Sequence, residues 1–227
     1  MNETKNLTAE ATKAADRPNK AQPLAKTGYH HGDLRQGLIE ATRRLVEEKG
    51  PDSFSVSEAC RLAGVSTAAP YKHFKDKTEM LVAAALQGME RHRANMLAAI
   101  EPLPEGSPAR VAALGREYVH FALREPGIFR LKFGGFTDRE TIPELQAAGE
   151  QTFGIVLREV ANCLGESEIT DEVRKRGFML WSFVHGLSFI LHDKKLSDMG
   201  GDIDLDGLLT DMGMRVLSDR PDNAHNG

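Results

Sequence analysis

The chain has 227 residues, of which 41% are hydrophobic and 27% charged, and its formal net charge is −4. This length can bury one sizeable core or form two modest helical domains. It contains no stretch of about 18 apolar residues, and the lysine-containing N-terminal segment has no apolar run of signal-peptide length. We therefore expect no membrane span and a cytoplasmic location.

Basic and acidic residues are unevenly distributed along the chain. The first hundred residues hold 15 Lys and Arg against 12 Asp and Glu, whereas the remainder holds 14 against 21. The first part therefore carries +3 and the second −7. This asymmetry places a candidate surface for a polyanion in the N-terminal part.

The chain begins with a polar segment, residues 1–27, which we expect to be disordered because it cannot bury enough apolar surface. Apolar residues at helical spacing then predict a first helix from about Asp33 to Lys49. Gly50 and Pro51 follow as the residues that end it.

Two short helices joined by a tight turn are predicted within residues 56–74. Ser55 or Ser57 is the candidate cap of the first helix, and Gly64 lies where a left-handed turn residue is needed. Ser66 is the candidate cap of the second. This is the pattern of a helix-turn-helix, whose second helix presents side chains to the major groove of DNA.

The residues around this motif resemble the TetR family of bacterial transcriptional regulators over roughly residues 29–90. The matching positions are Leu38, Ala41, Leu45, Val46, Ala59, Leu62, Ala63, Gly64, Val65, Tyr71, His73, Phe74 and Lys77. Further on, the run WSFVHG from Trp181 to Gly186 is similar to the signature of the WHG-type ligand-binding domain, which one TetR subgroup carries.

The resemblance implies a set of DNA-binding residues in the head. These are Ser55, Ser66, Thr67, Ala68, Ala69, Tyr71, Lys72, His73 and Lys77. The residues at positions 67–69 would face bases, and those at 71–73 would contact phosphates. Lys77 begins the next helix, where free backbone N–H groups also favour an anion. In the plainer alternative, Tyr71 packs on its own helix and the basic side chains are simply solvated.

The rest of the chain is predicted to be helical, which makes the fold class all-α with about nine helices. Asp76 caps a long fourth helix, and further apolar periods follow at 111–121, 126–133, 145–164, 171–193 and 205–216. The expected organisation is a tail at 1–27, a DNA-binding head at 28–80, a ligand-binding and dimerisation domain at 81–218 and a flexible tail at 219–227.

The predicted helix at 171–193 is apolar around most of its circumference. Such a helix is buried on more than one side. In TetR-like proteins the last two helices form a four-helix bundle between subunits, so the resemblance implies a homodimer. Gly186 would allow close approach of helices there.

Apolar and aromatic residues on predicted inward faces are the candidate ligand-binding residues. They are Tyr118, Phe121, Phe129, Phe133, Phe153, Phe178, Trp181 and His185. Each is also compatible with a place in the core, and His185 could instead satisfy a backbone carbonyl.

No metal site, cofactor or catalytic residue is expected from the sequence. His185 and His192 stand about 10.5 Å apart along a helix, too far to share one ion. Phosphate-binding Gly-rich loops and the G-x-S-x-G elbow are missing from the sequence.

The resemblance implies a repressor that binds a pseudo-palindromic operator in double-stranded DNA as a homodimer and is released by an unknown small-molecule inducer. The alternative is a ligand-sensing or partner-binding helical protein with a vestigial DNA head.

Overall fold

The computed structural model describes residues 34–134, 142–192 and 203–218. Within these ranges the chain forms eight α-helices, one 3₁₀ turn and no strand. The helices are α1 Leu34–Lys49, α2 Val56–Ala63, α3 Lys77–Ile100, α4 Pro108–Arg124, α5 Pro126–Gly134, α6 Pro143–Leu164, α7 Asp171–His192 and α8 Leu205–Ser218. The all-α prediction is confirmed, while the expected tails at 1–27 and 219–227 lie outside the described residues.

The predicted caps Ser55, Gly64 and Asp76 lie where helices begin or end. The Ser55 hydroxyl accepts a hydrogen bond from the Glu58 backbone N–H at 3.2 Å, and the Glu58 carboxylate accepts one from the Ser55 backbone N–H at 2.9 Å. This reciprocal capping box starts α2. Gly64 ends α2 in the left-handed conformation, with φ of 71°. The Asp76 carboxylate accepts the Glu79 N–H at 2.9 Å and starts α3.

The second helix of the predicted helix-turn-helix is shorter than expected. The structure has turns from Ser66 onwards and a 3₁₀ turn over Pro70–Lys72, in place of an α-helix capped by Ser66. In such a helix the residue 70 N–H would make the first bond to the Ser66 carbonyl. Proline has no N–H. The Ala69 N–H instead donates to the Ser66 carbonyl at 3.0 Å.

Helix α4 lies at the centre of the fold and packs against α3, α5, α6, α7 and α8. The head does not have a separate core. One continuous cluster of buried residues runs from Leu38 in α1 through Ala84 in α3 to Tyr118 in α4 and Leu187 in α7. The head and the C-terminal helices therefore share one packed core.

A buried ion pair joins the middle of the fold. The Arg110 guanidinium in α4 donates to both carboxylate oxygens of Glu159 in α6, at 2.7 and 3.0 Å. It also donates to the backbone carbonyls of Ile100, the last residue of α3, and of Leu103 in the following loop. Arg110 thus satisfies carbonyls at one helix end and neutralises a buried carboxylate.

Candidate nucleic-acid interface and ligand cavity

Residues 66–73, here called the recognition segment, carry most of the predicted DNA-binding side chains. Tyr71 is 66% exposed although it is a large aromatic residue. Ser66, Thr67, Ala68, Lys72 and His73 are also exposed, Ala69 is half-buried, and Ser55 lies exposed at the start of α2. Pro70 and Phe74 are buried and attach the segment to the head core. The predicted residues from Ser66 to His73 thus lie in one contiguous and mostly exposed segment, while Ser55 lies apart from it along the chain.

Lys77 differs from the other predicted DNA-binding residues. Its ammonium donates to the Phe54 carbonyl at 2.7 Å and lies 4.3 Å from the centre of the Phe54 ring. These contacts connect the first turn of α3 to the loop before α2. Its contact with phosphate stays a prediction, and its contacts in the structure are internal.

Helix α5 connects the head to the C-terminal helices. The Glu47 carboxylate of α1 accepts the Gly127 and Ile128 backbone N–H groups at 2.8 and 3.0 Å, which caps the start of α5. Burial raises the pKa of Glu47, and the two N–H bonds oppose that shift. The backbones approach so closely that a Cβ at Gly127 would lie 2.8 Å from the Val46 carbonyl oxygen.

The C-terminal helices line an aromatic cavity of about 300 Å³ that is open to solvent on one side. Five of the eight predicted ligand-binding residues line it, namely Tyr118, Phe133, Phe153, Phe178 and Trp181. The cavity lies among helices α3 to α7, because Met96 of α3 completes its wall. Its volume falls at the lower end of the range typical of small-molecule sites.

The other three predicted ligand-binding residues lie behind this wall. Phe121 and Phe129 are buried in the core. His185 stacks on Trp181 with a ring-centre distance of 5.2 Å, and its Nδ1 is 2.9 Å from the Tyr118 hydroxyl. His185 therefore orients two of the lining aromatic residues.

Sequence reasoning missed the one basic residue in the described lining of this cavity. Lys132 extends from α5 with its ammonium 4.9 Å from the Phe133 ring centre and 6.0 Å from that of Tyr118. The available signal was its spacing, because Lys132 is three residues after Phe129 in a helix of apolar residues. Burial lowers its pKa to about 8.

No cluster of three His, Cys, Asp or Glu residues suited to a metal occurs in the ranges that the structure describes. In the same ranges, every helix is too short or too polar to cross a bilayer.

Two family models match the chain. Residues 38–84 match "Bacterial regulatory proteins, tetR family", and residues 111–212 match "Tetracyclin repressor-like, C-terminal domain". The chain belongs to the TetR family. It is thus a helix-turn-helix transcriptional regulator of a DNA-binding family. The WSFVHG run at 181–186 lies within the second match. The description of that family, the tetracyclin repressor-like C-terminal domain, is broader than the WHG-type domain predicted from the sequence.

Curated relatives of this TetR-family chain match it over parts of their length. The HTH-type transcriptional regulator AcrR of Shigella flexneri is 36% identical over 55 residues, which are 24% of this chain and 26% of the relative. The nucleoid occlusion factor SlmA of Pasteurella multocida is 28% identical over 130 residues, 57% of this chain and 64% of the relative. The chain thus spans less than two thirds of either relative.

A solved structure from Rhodococcus sp. RHA1, described as a protein with unknown function, is similar over most of both chains. It is 28% identical to this TetR-family chain, with a TM-score of 0.71, and the alignment covers 85% of this chain and 97% of that one. The likeness extends through the C-terminal helices as well as the head.

The last two helices of this TetR-family regulator expose large apolar side chains. The exposed ones are Phe178, Met179, Phe189 and Ile190 on α7 and Leu208 and Met214 on α8, with Ile203 just before α8. Helices α7 and α8 also pack against each other. An apolar surface of this kind is typical of a face that binds another protein.

Proposed function

We propose that the chain is a transcriptional repressor that binds a pseudo-palindromic operator as a homodimer and releases it when a small molecule occupies the aromatic cavity. The observation that carries this proposal is that α5 contacts both sites. Its first turn is capped by Glu47 of the head, and its last turns contribute Lys132 and Phe133 to the cavity.

The homodimer is proposed from the exposed apolar side chains of α7 and α8. A second copy of the same face would bury them, since a two-fold interface matches each patch with itself. Two heads separated by about one helical turn of DNA, or a multiple, would then read two half-sites. Neither head alone would bind as tightly.

Release is proposed to be a population shift. The ligand would bind better to a conformation in which α5 and α3 hold the two recognition segments out of register with the half-sites. A ligand that bound both conformations equally would leave operator affinity unchanged. By linkage, operator DNA must weaken ligand binding by the same factor.

The roles assigned to the head follow from exposure and chemistry. Thr67 and Ala68 are proposed to face bases, and Tyr71, Lys72 and His73 to contact phosphates. A cytoplasmic location and a non-catalytic role accompany this function.

The experiment is a mobility shift with a duplex from the intergenic region upstream of the gene itself, against an unrelated duplex of equal length, across a salt series. Specific retention that weakens steeply with salt is the expected result. If no duplex from a genome-wide selection is retained in any ligand state, the head is vestigial and the alternative, a ligand or partner sensor, replaces this function.

A further inference from the structure

The described lining of the cavity combines aromatic walls with one cationic side chain. This lining contains one basic residue, Lys132, and one acidic residue, Glu150. Glu150 is exposed, and its carboxylate accepts a hydrogen bond from the Gln146 amide at 2.8 Å. Among the described residues no carboxylate forms an ion pair with Lys132. Within the described residues the ammonium lies over the faces of the Tyr118 and Phe133 rings.

The described titratable side chains near this ammonium on α3, α4 and α7 are neutral, while Glu150 of α6 lines the same cavity but forms no ion pair with Lys132. His185 of α7 and His92 of α3 both have pKa values lowered by burial and by the charge of Lys132. Burial raises the pKa of the Tyr118 hydroxyl, so that it also stays neutral. The surroundings on α3, α4 and α7 therefore provide no negative charge to balance Lys132.

A half-buried ammonium without a counter-ion is costly, and contact with aromatic rings recovers only part of the lost hydration. An anion bound in the cavity would recover more, because a hydrogen bond between charged partners is stronger than one between neutral groups. One lysine supplies one point charge without the fork of an arginine. That donor set suits a singly charged carboxylate better than a phosphate dianion.

We propose that the natural ligand of this cavity is a small carboxylic acid with an apolar, preferably aromatic, body, and that its carboxylate pairs with Lys132. The inference rests on the proposed function only in identifying the occupant as the inducer. A cavity of about 300 Å³ is roughly twice the volume that holds benzene in an engineered core. It suits a bicyclic ring system or a medium-length acyl chain.

The test uses matched acids and amides. Trp181 is the single tryptophan of the chain and lines the cavity, so its fluorescence reports occupancy. The probes are phenylacetate, 1-naphthylacetate and decanoate, each titrated beside its primary amide, which has the same shape without the charge. At pH 7 at least one acid should bind about tenfold or more tightly than its amide.

The acid preference should depend on pH in one direction. The acids are ionised throughout the neutral and alkaline range, whereas Lys132 loses its proton as the pH rises through about 8. The advantage of the acid should therefore be full below that pH and disappear above it. A bound carboxylate moves the transition upwards, and amide binding should stay constant.

Three variants assign the effect to one side chain. Lys132→Met should bind acid and amide equally while keeping the amide affinity, which also shows that the cavity is intact. Lys132→Arg should keep the preference. Lys175→Met makes the same change on the exposed surface of α7 and should leave both affinities unchanged.

If no acid binds more tightly than its amide, or if the preference survives in Lys132→Met, the carboxylate proposal is wrong. The mobility shift separates this failure from that of the proposed function. If the duplex is retained but no acid is preferred, only the proposal of a carboxylate ligand fails. If an acid is preferred but no duplex is bound, only the proposed repressor function fails.

Discussion

His92 is a buried polar residue without a partner in the described part of the chain. Its side chain is fully buried in α3, neither ring nitrogen has a hydrogen bond, and the ring stacks on Phe121 with a centre distance of 4.5 Å. Burial, assisted by the charges of Lys132 and Arg124, lowers its pKa to about 3. The ring is therefore neutral in the folded protein and behaves as a flat core side chain.

This residue should make folding stability depend on pH. Between its ordinary pKa of 6.5 and about 3 the unfolded chain binds a proton that the folded chain does not, so stability falls as the pH falls. The slope from His92 is at most about 1.4 kcal/mol per pH unit. His92→Leu should flatten the dependence between pH 6.5 and 5, measured by urea unfolding.

His120 and His185 should also make folding stability fall as the pH falls, because burial lowers the pKa of each. Their slope should remain in His92→Leu. His73→Gln, at an exposed position, is the control and should keep the full dependence. Equal slopes in all three proteins would contradict a neutral His92.

In the recognition segment the predictions separate affinity from specificity. Lys72→Ala should weaken binding to every duplex and make the slope of log affinity against log salt shallower by about 1, because one phosphate contact is lost. Thr67→Ala should instead change which base is preferred at one position of each half-site. Mobility shifts with a set of singly substituted duplexes measure both.

Lys175→Ala removes the same charge from the exposed surface of α7 and should leave the salt slope unchanged. A slope that shifts equally in Lys72→Ala and Lys175→Ala would mean that Lys72 acts only through net charge. An unchanged base preference in Thr67→Ala would show that Thr67 does not contact a base.

At the scale of the element, a side chain of the head caps the first turn of α5. Pro126 begins the helix, and the free N–H groups of Gly127 and Ile128 are satisfied by the Glu47 carboxylate. Negative charge at a helix start is also favoured by the helix dipole. Arg91 of α3 pairs with Glu125 just before α5, at 2.5 Å, and holds the same junction from the other side.

Glu47→Ala should lower the free energy of unfolding by about 1–3 kcal/mol, because two half-buried N–H groups lose their acceptor. It should also reduce the factor by which an inducer weakens operator binding, since α5 would no longer move with α1. Urea unfolding and mobility shifts with and without ligand measure the two effects.

The neighbouring Glu48→Ala removes an exposed carboxylate from the same helix and is the matched control. It should change neither quantity measurably. A Glu47 variant that loses stability but keeps the full ligand effect would place the coupling in another element.

At the scale of the whole molecule, the face formed by α7 and α8 is apolar and exposed in one chain. Ile190→Glu or Met214→Glu places a charge in this face, where each residue is more than 40% exposed. We expect either change to convert a dimer into monomers at micromolar concentration and to weaken operator binding strongly, because burying an unpaired carboxylate is costly. Analytical ultracentrifugation measures the first effect and mobility shift the second.

Leu97→Glu is the matched control, because Leu97 on α3 is 41% exposed and lies outside this face. It should leave the assembly state unchanged. A wild-type chain that sediments as a monomer at micromolar concentration would remove the homodimer from the proposed function.

The sequence by itself determined the helices and most of their ends. Caps and breakers act within about four residues, so Gly64 and Asp76 could be assigned, and Ser55 named as one of two candidates, without knowing what the helices pack against. The periodic apolar residues of α3 and α4 are likewise buried as predicted. The recognition segment was the exception, because Pro70 removes the bond that an α-helix begun at Ser66 needs.

Only the tertiary structure decided which of these faces meet. Tyr118, Lys132 and Trp181 belong to three different helices, and nothing in their spacing places them around one cavity. Likewise, nothing in the sequence shows that Glu47 of α1 lies beside the first turn of α5. Periodicity identifies a buried face, whereas packing determines its neighbours and whether a gap remains. The sequence therefore predicted an aromatic interior, and the structure separated the cavity wall from the core behind it.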